Sequence, residues 1–211
     1  MKSYVITIAR QYGSGGKTVG KRLAERLDIP FYDREIITMA SEDSGVNAVL
    51  FSDERLMKGG DLRARLRSIY RGEKIPGYRA GIAHEIKEDT LYQYQAKVIR
   101  SLAEQGPCIM MGRCADYLLR DRGDVVRVFV HADPAFCLEQ AMKVNSMDPA
   151  DVQKKIDEVD HYRAEYYQYH TGQRWSDARN YDLSLNSGIL GFDGTLDAVL
   201  AYLETRSKYD A

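Results

Sequence analysis

Short, unbroken apolar runs alternate in this chain with longer segments whose apolar residues return at every third or fourth place, the two periods of buried strands and amphipathic helices. Tyr4-Val5-Ile6-Thr7-Ile8-Ala9 reads as a first strand, and Val19, Leu23 and Leu27 as the inner stripe of a helix from Val19 to Leu27. A short strand follows around Pro30-Phe31-Tyr32, and Asp33 stands where a helix carrying Ile36, Ile37 and Ala40 should be capped. From Leu91 a helix presents Leu91, Tyr94, Val98 and Leu102, stops at Gly106-Pro107 and delivers a third strand, Cys108-Ile109-Met110-Met111. Val125 to Val130 is the fourth strand.

Asp133-Pro134 and Asp148-Pro149 each pair an N-cap residue with a proline at the first helical position, so two helices should begin there. The second is long, with Val152, Ile156, Val159, Tyr162, Tyr166 and Tyr169 near one face and its end at Gly172. A last strand, Asp182-Leu183-Ser184-Leu185, leads through Gly191 and Gly194 into a terminal helix from Leu196. Neither a repeat nor a low-complexity linker divides the 211 residues, so a single domain over 1–211 is expected.

Strand and helix in alternation predict an α/β fold: a mostly parallel sheet with helices on both faces and right-handed crossovers. Such sheets bind ligands beyond the carboxyl ends of their strands. The loop from Gln11 to Gly16, the turn at Asp33 and the turn at Gly112-Arg113 all follow strands, so they should converge on one rim.

The loop on that rim reads Gly13-Ser14-Gly15-Gly16-Lys17-Thr18. Glycines let successive backbone N–H groups turn onto an anion, and the following helix N-terminus adds its dipole. Lys17 can reach β- and γ-phosphates, and the Thr18 hydroxyl can ligate Mg²⁺. Gln11 occupies the place of the first glycine in the general pattern G-x-x-x-x-G-K-[ST], which leaves a plain glycine-rich turn with a surface lysine as the alternative.

Thirty Lys and Arg against 31 Asp and Glu give a net charge of −1, so nothing in the bulk charge points to nucleic acid or a membrane as partner. The N-terminal residues pass into the first strand without a secretory or membrane-spanning apolar segment, and a cytoplasmic location is expected. Cys108, Cys114 and Cys137, and His84, His131, His161 and His170, lack metal-ligand spacing. No Ser/His/Asp arrangement suggests acyl transfer.

The chain resembles the cytidylate kinase-like family of P-loop nucleoside-monophosphate kinases. The likeness rests on Ile6 through Gly16, on Pro30-Phe31-Tyr32-Asp33-Arg34-Glu35-Ile36-Ile37, and on Gly106-Pro107-Cys108 through Gly112-Arg113-Cys114-Ala115-Asp116-Tyr117. It continues through Tyr166-Tyr167, Thr171-Gly172, Trp175 and Asn180-Tyr181-Asp182-Leu183 to Leu185-Asn186-Ser187. The resemblance implies a P-loop NTPase-type core of five parallel strands and an acceptor-binding insertion over about 33–86. It also implies a helical lid over about 150–175, mobile near Asp160 to Gly172. His161 stands where the family often has lysine, so one lid cation is pH-dependent or missing.

Moving a phosphoryl group between two anions requires positioning and neutralised charge more than covalent help. Lys17 and Thr18 supply the donor side. Arg113, next to a glycine at a strand end, is the candidate clamp for an acceptor phosphate, since guanidinium donates two parallel hydrogen bonds; a surface arginine is the alternative. Arg163 on the lid helix is a candidate for the transferring phosphoryl, or an ordinary solvated arginine near Glu165. Asp33 could orient Mg²⁺ waters or acceptor sugar hydroxyls, or serve as an N-cap. Arg63, Arg65, Arg67 and Arg71 form a basic stretch that is solvated, lines the acceptor site or meets RNA. These residues point to ATP- and Mg²⁺-dependent transfer to a small phosphorylated acceptor, with a CMP- or dCMP-like nucleoside monophosphate first. A kinase of a non-nucleotide metabolite and a nucleotide-binding regulatory module without turnover stay open.

Overall fold

The computed structural model describes residues 4–44 and 88–210. The expected insertion therefore falls largely outside the described residues, as do Arg63, Arg65, Arg67, Arg71 and His84. Five strands form one sheet in the order β2-β3-β1-β4-β5: β1 Val5–Arg10, β2 Phe31–Tyr32, β3 Ile109–Met111, β4 Val125–His131 and β5 Leu183–Asn186. Every pairing is parallel, with Ile6 of β1 opposite Ile109 on one side and Val126 on the other. From central β1 the chain runs first to β2 and β3 and then crosses to β4 and β5. The direction of winding reverses at β1, and the crevice at its carboxyl end is where such sheets bind ligands.

β1 is buried on both faces and its side chains alternate between two cores. Ile6 and Ile8, with Val126 and Val128, meet Leu23 of α1 (Gly16–Leu27) and Val199 and Leu203 of the last helix. Val5, with Met110 and Val125, faces Ile99, Leu102 and Ala103 of α3 (Glu88–Gln105) and Ile36 of α2 (Glu35–Ser44). Ala115 of the short α4 (Ala115–Leu118) joins that second core. Fully burying such aliphatic side chains stabilises the fold by roughly 1.5–3 kcal/mol each.

α5 (Pro134–Met142) and α6 (Pro149–Thr171) begin at the two Asp-Pro pairs, yet neither Asp133 nor Asp148 makes a side-chain cap hydrogen bond. Proline at the first position, which needs no N–H partner, is the feature that starts them. α6 buries Val152, Ile156, Tyr166 and Tyr167, whereas Tyr169 lies outward and is 51% exposed. Its first half packs on Ala141 of α5, its second half on Ile37, Leu91 and Tyr92 of α2 and α3, so the buried face shifts along the helix. His170 stacks on Tyr92 with ring centres 4.0 Å apart.

Two helix starts differ from expectation. α1 begins at Gly16 rather than Val19, because the phosphate loop runs directly into its first turn. α7 spans Ser187–Tyr209, with Asn186 capping its start by accepting the Gly188 N–H at 3.0 Å. Gly191, at φ 66 and ψ 176, breaks the helical backbone inside it, and this kink is what the glycines there signal. Among the described residues no helix is long and apolar enough to cross a membrane.

Gly20 lets α1 lie close on the sheet: a Cβ there would stand 3.0 Å from both Met111 and Phe31. Gly20→Val should lower stability by about 1–3 kcal/mol through overpacking. Urea unfolding checks this, and an unchanged midpoint would show that the interface gives way without cost.

Candidate active site

The phosphate loop is tied down before it reaches α1. Gln11 donates its N–H to the Val130 carbonyl at 3.0 Å and accepts the Ala132 N–H on its side-chain oxygen at 3.1 Å. The Ser14 hydroxyl returns to the Gln11 carbonyl at 2.9 Å. Gln11 thus does what a glycine could not, fastening the loop to the end of β4. Gly13 and Gly15 take left-handed φ values of 81 and 76, and a Cβ would strike the Cys137 carbonyl at the first and the Phe192 ring at the second. Ser187 Oγ lies 2.6 Å from the Ser14 carbonyl oxygen and 3.1 Å from that of His131, joining the loop to β4 and the start of α7. Lys17 and Thr18 follow, exposed in the first turn of α1.

Lys17 Nζ donates to Asp33 Oδ2 at 2.5 Å, and Arg10 stands 3.9 Å from the other oxygen. Burial raises the Asp33 carboxyl, but the Lys17 hydrogen bond and the charges of Arg10, Lys17 and Arg113 outweigh it and hold the group below the usual carboxylate range. The N-cap alternative for Asp33 gives way to this ion pair, since its carboxylate is turned to the cations and only its N–H meets Glu35, at 2.8 Å.

β3 ends in an unusual turn. Gly112, Arg113 and Cys114 adopt consecutive left-handed φ values of 67, 59 and 54. The two non-glycine residues cost roughly 1–2 kcal/mol each. Gly112 donates its N–H to the Ile8 carbonyl at 2.9 Å, and a Cβ on it would meet the Arg10 guanidinium. The strained turn therefore sets Arg113 beside Arg10 and Asp33, which is where a cation for an anionic ligand is expected.

Across the rim lies α6. Asp160 accepts the Tyr12 N–H with both oxygens, at 2.8 and 3.1 Å, and pairs with Arg163 at 3.0 Å. Arg163 also donates to the Arg10 carbonyl at 3.1 Å. Its side chain is 15% exposed and its Nε is buried with no hydrogen-bond partner, so it is no solvated arginine. Burial raises the Asp160 carboxyl above its ordinary value despite Arg163, the Tyr12 N–H and Arg10. His161 points to solvent, 64% exposed, with Glu165 at 3.3 Å; the expected lid cation at this position lies away from the pocket.

Arg10, Arg113 and Arg163 line one pocket with Asp116, Tyr167 and Trp175. Asp116 is 4% exposed and accepts the Tyr167 hydroxyl at 2.5 Å. Burial pushes its carboxyl up to about 6, against the hydrogen bonds from Tyr167 and from the Asp116 and Tyr117 backbone. Burial and the adjacent Asp116 charge likewise push the Tyr167 hydroxyl far above its ordinary value. Lys17, Asp33 and Arg113 are thus brought together and Arg163 faces them. Arg10, Asp160, Asp116 and Tyr167 were missed by sequence reasoning, although Arg10, Asp116 and Tyr167 lie within the runs that carry the family likeness. Among the described residues no cluster of His, Cys, Asp and Glu could hold a metal ion unaided.

The model of the cytidylate kinase-like family matches residues 5–189, from the start of β1 through the phosphate loop, Asp33, Arg113 and α6 to the start of α7. The chain belongs to the cytidylate kinase-like family. Comparison with curated proteins gives no match. Among solved structures, an uncharacterized protein from Eubacterium ventriosum is similar at 23% identity, over 95% of this chain and 98% of its own, with a TM-score of 0.69. A shikimate kinase from Bacteroides thetaiotaomicron is similar at 14% identity over 96% and 99%, with a TM-score of 0.54. These likenesses establish the P-loop kinase fold.

In this cytidylate kinase-like chain the Asp116 carboxyl gives a pH test. Its folded value of about 6 exceeds the ordinary 3.8, so the native state holds the proton more tightly and this group's contribution to stability is lost as pH rises through that window. Asp116→Asn should therefore gain on the wild type between about pH 4 and pH 6, by up to about 3 kcal/mol. Chemical unfolding at each pH reads the difference, and parallel stability curves would show that Asp116 ionises at no cost.

Proposed function

We propose that this chain transfers the γ-phosphoryl of ATP, with Mg²⁺, to a nucleoside monophosphate, with CMP and dCMP as first candidates. One observation carries the reading: Arg10, Lys17 and Arg113 converge on Asp33 beside a glycine-rich loop, and Arg163 offers a buried, unmatched Nε from across the same pocket. A desolvated donor without a partner costs about 1–3 kcal/mol, which an anionic ligand oxygen would relieve. Fixed cations in a sheltered site are what transfer between two phosphates requires.

The loop N–H groups and Lys17 would hold the donor phosphates, and Arg113 the acceptor phosphate. Arg163 would meet charge that develops between them, and Asp33 would hold Lys17 in place until the donor enters. The residues fit Mg²⁺: Thr18 stands exposed in the first turn of α1, Asp33 is held ionised nearby, and a cation bound there would add shielding between the phosphates. Family membership supports a phosphotransferase.

Coupled ADP release with ATP and Mg²⁺ against each monophosphate in turn is the direct test. Turnover only with a non-phosphorylated metabolite would move the assignment to another acceptor class, and ATP binding with no turnover would make this a regulatory module. Lys17→Ala should keep the fold and lower kcat by about 10²-fold or more; wild-type turnover in that variant would remove Lys17 from the donor site. Arg113→Lys retains the charge but loses the bidentate fork, so it should raise the acceptor KM or lower kcat while ATP affinity barely moves. An equal fall in ATP affinity would place Arg113 on the donor side.

A further inference from the structure

We propose that Asp116 and Tyr167 are positioning residues, a buried strut that holds the turn carrying Arg113 at a set distance from the helix carrying Arg163. The inference rests on the assignment of Arg113 to an acceptor phosphate. Left-handed backbone is unfavourable at the two successive non-glycine residues, so the surroundings must help to hold Arg113 and Cys114 there. Asp116 is the buried polar side chain that follows it, and its carboxylate is occupied by the Asp116 and Tyr117 backbone and by the Tyr167 hydroxyl. With its oxygens so engaged, it ties the start of α4, directly after the turn, to α6.

Tyr167 lies four residues beyond Arg163, one helical turn along the same face of α6. Anchoring Tyr167 to Asp116 therefore fixes where Arg163 sits relative to Arg113. Asp160, bound to the Tyr12 N–H, secures the helix at the other side of the site. A buried carboxylate and hydroxyl are a costly way to join two elements that apolar side chains could join as well, and what the polar pair adds is a defined geometry.

The test uses the full chain with Tyr167→Phe, Asp116→Ala, Asp116→Asn and Arg113→Lys, each checked for folding by thermal unfolding. Acceptor KM, kcat and ATP affinity are measured at neutral pH, and ADP-saturated protein is titrated with inorganic phosphate. Tyr167→Phe and Asp116→Ala should raise the acceptor KM about tenfold with ATP affinity within about twofold, whereas Asp116→Asn, which still accepts the Tyr167 proton, should stay within about threefold of wild type. A general structural defect would instead lower the active fraction at constant KM. An unchanged acceptor KM in Tyr167→Phe would overturn the proposal, and so would an Asp116→Asn as damaging as Asp116→Ala, since the Tyr167 contact that the amide can keep would then not be what holds the site. If Asp116→Ala does not fold, Tyr167→Phe decides. Should no monophosphate turn over, the phosphate titration decides: weakening by both Arg113→Lys and Tyr167→Phe supports the strut, and weakening by Arg113→Lys alone, or by neither, overturns it.

Discussion

Positive charge gathered on one rim has to be held in place by something, and here carboxylates do it. Asp33 stands between Arg10, Lys17 and Arg113, and Asp160 between Arg163 and the phosphate loop. Each carboxylate keeps like charges from driving the rim apart, and each contact is one that phosphate oxygens could take over. The backbone serves the same end. β1 brings Arg10 to the rim, its carbonyl receives Arg163, and its guanidinium lies where only a glycine at 112 leaves room.

The rim is consequently a network in which the donor loop, the β3 turn and α6 meet at the end of a single strand. Gln11 and Ser187 fasten the loop to β4 and α7, while Asp160 fastens it to α6. α6 packs through Tyr166 and Tyr167 into the core and carries polar contacts at the site. Arg163 is already beside the pocket in this arrangement.

Much of this was legible in the sequence. The strands and their order along the chain follow from apolar periodicity, and the phosphate loop from glycines that nothing but left-handed backbone and close packing explains. The start of α7 was not, because Gly191 interrupts the helix and reads as a loop residue. Arg10 was passed over because Asp33 and Gly112, which follow β2 and β3, come near it only when the strands line up in one sheet. Asp116 and Tyr167 are separated by 51 positions, and no local pattern announces that they touch. Asp133 and Asp148 show the reverse error, where a residue type suited to capping stands at the cap position without making the bond.

On the role proposed for Arg113, its left-handed backbone sets stability against activity. A glycine at 113 or 114 would relax the backbone, and by that measure the present residues are poor choices. Replacing Arg113 for the sake of a firmer fold would discard the guanidinium that the strain places on the rim. On that proposed role, ranking variants of this protein by thermal resistance alone would favour a glycine at 113 and lose that cation.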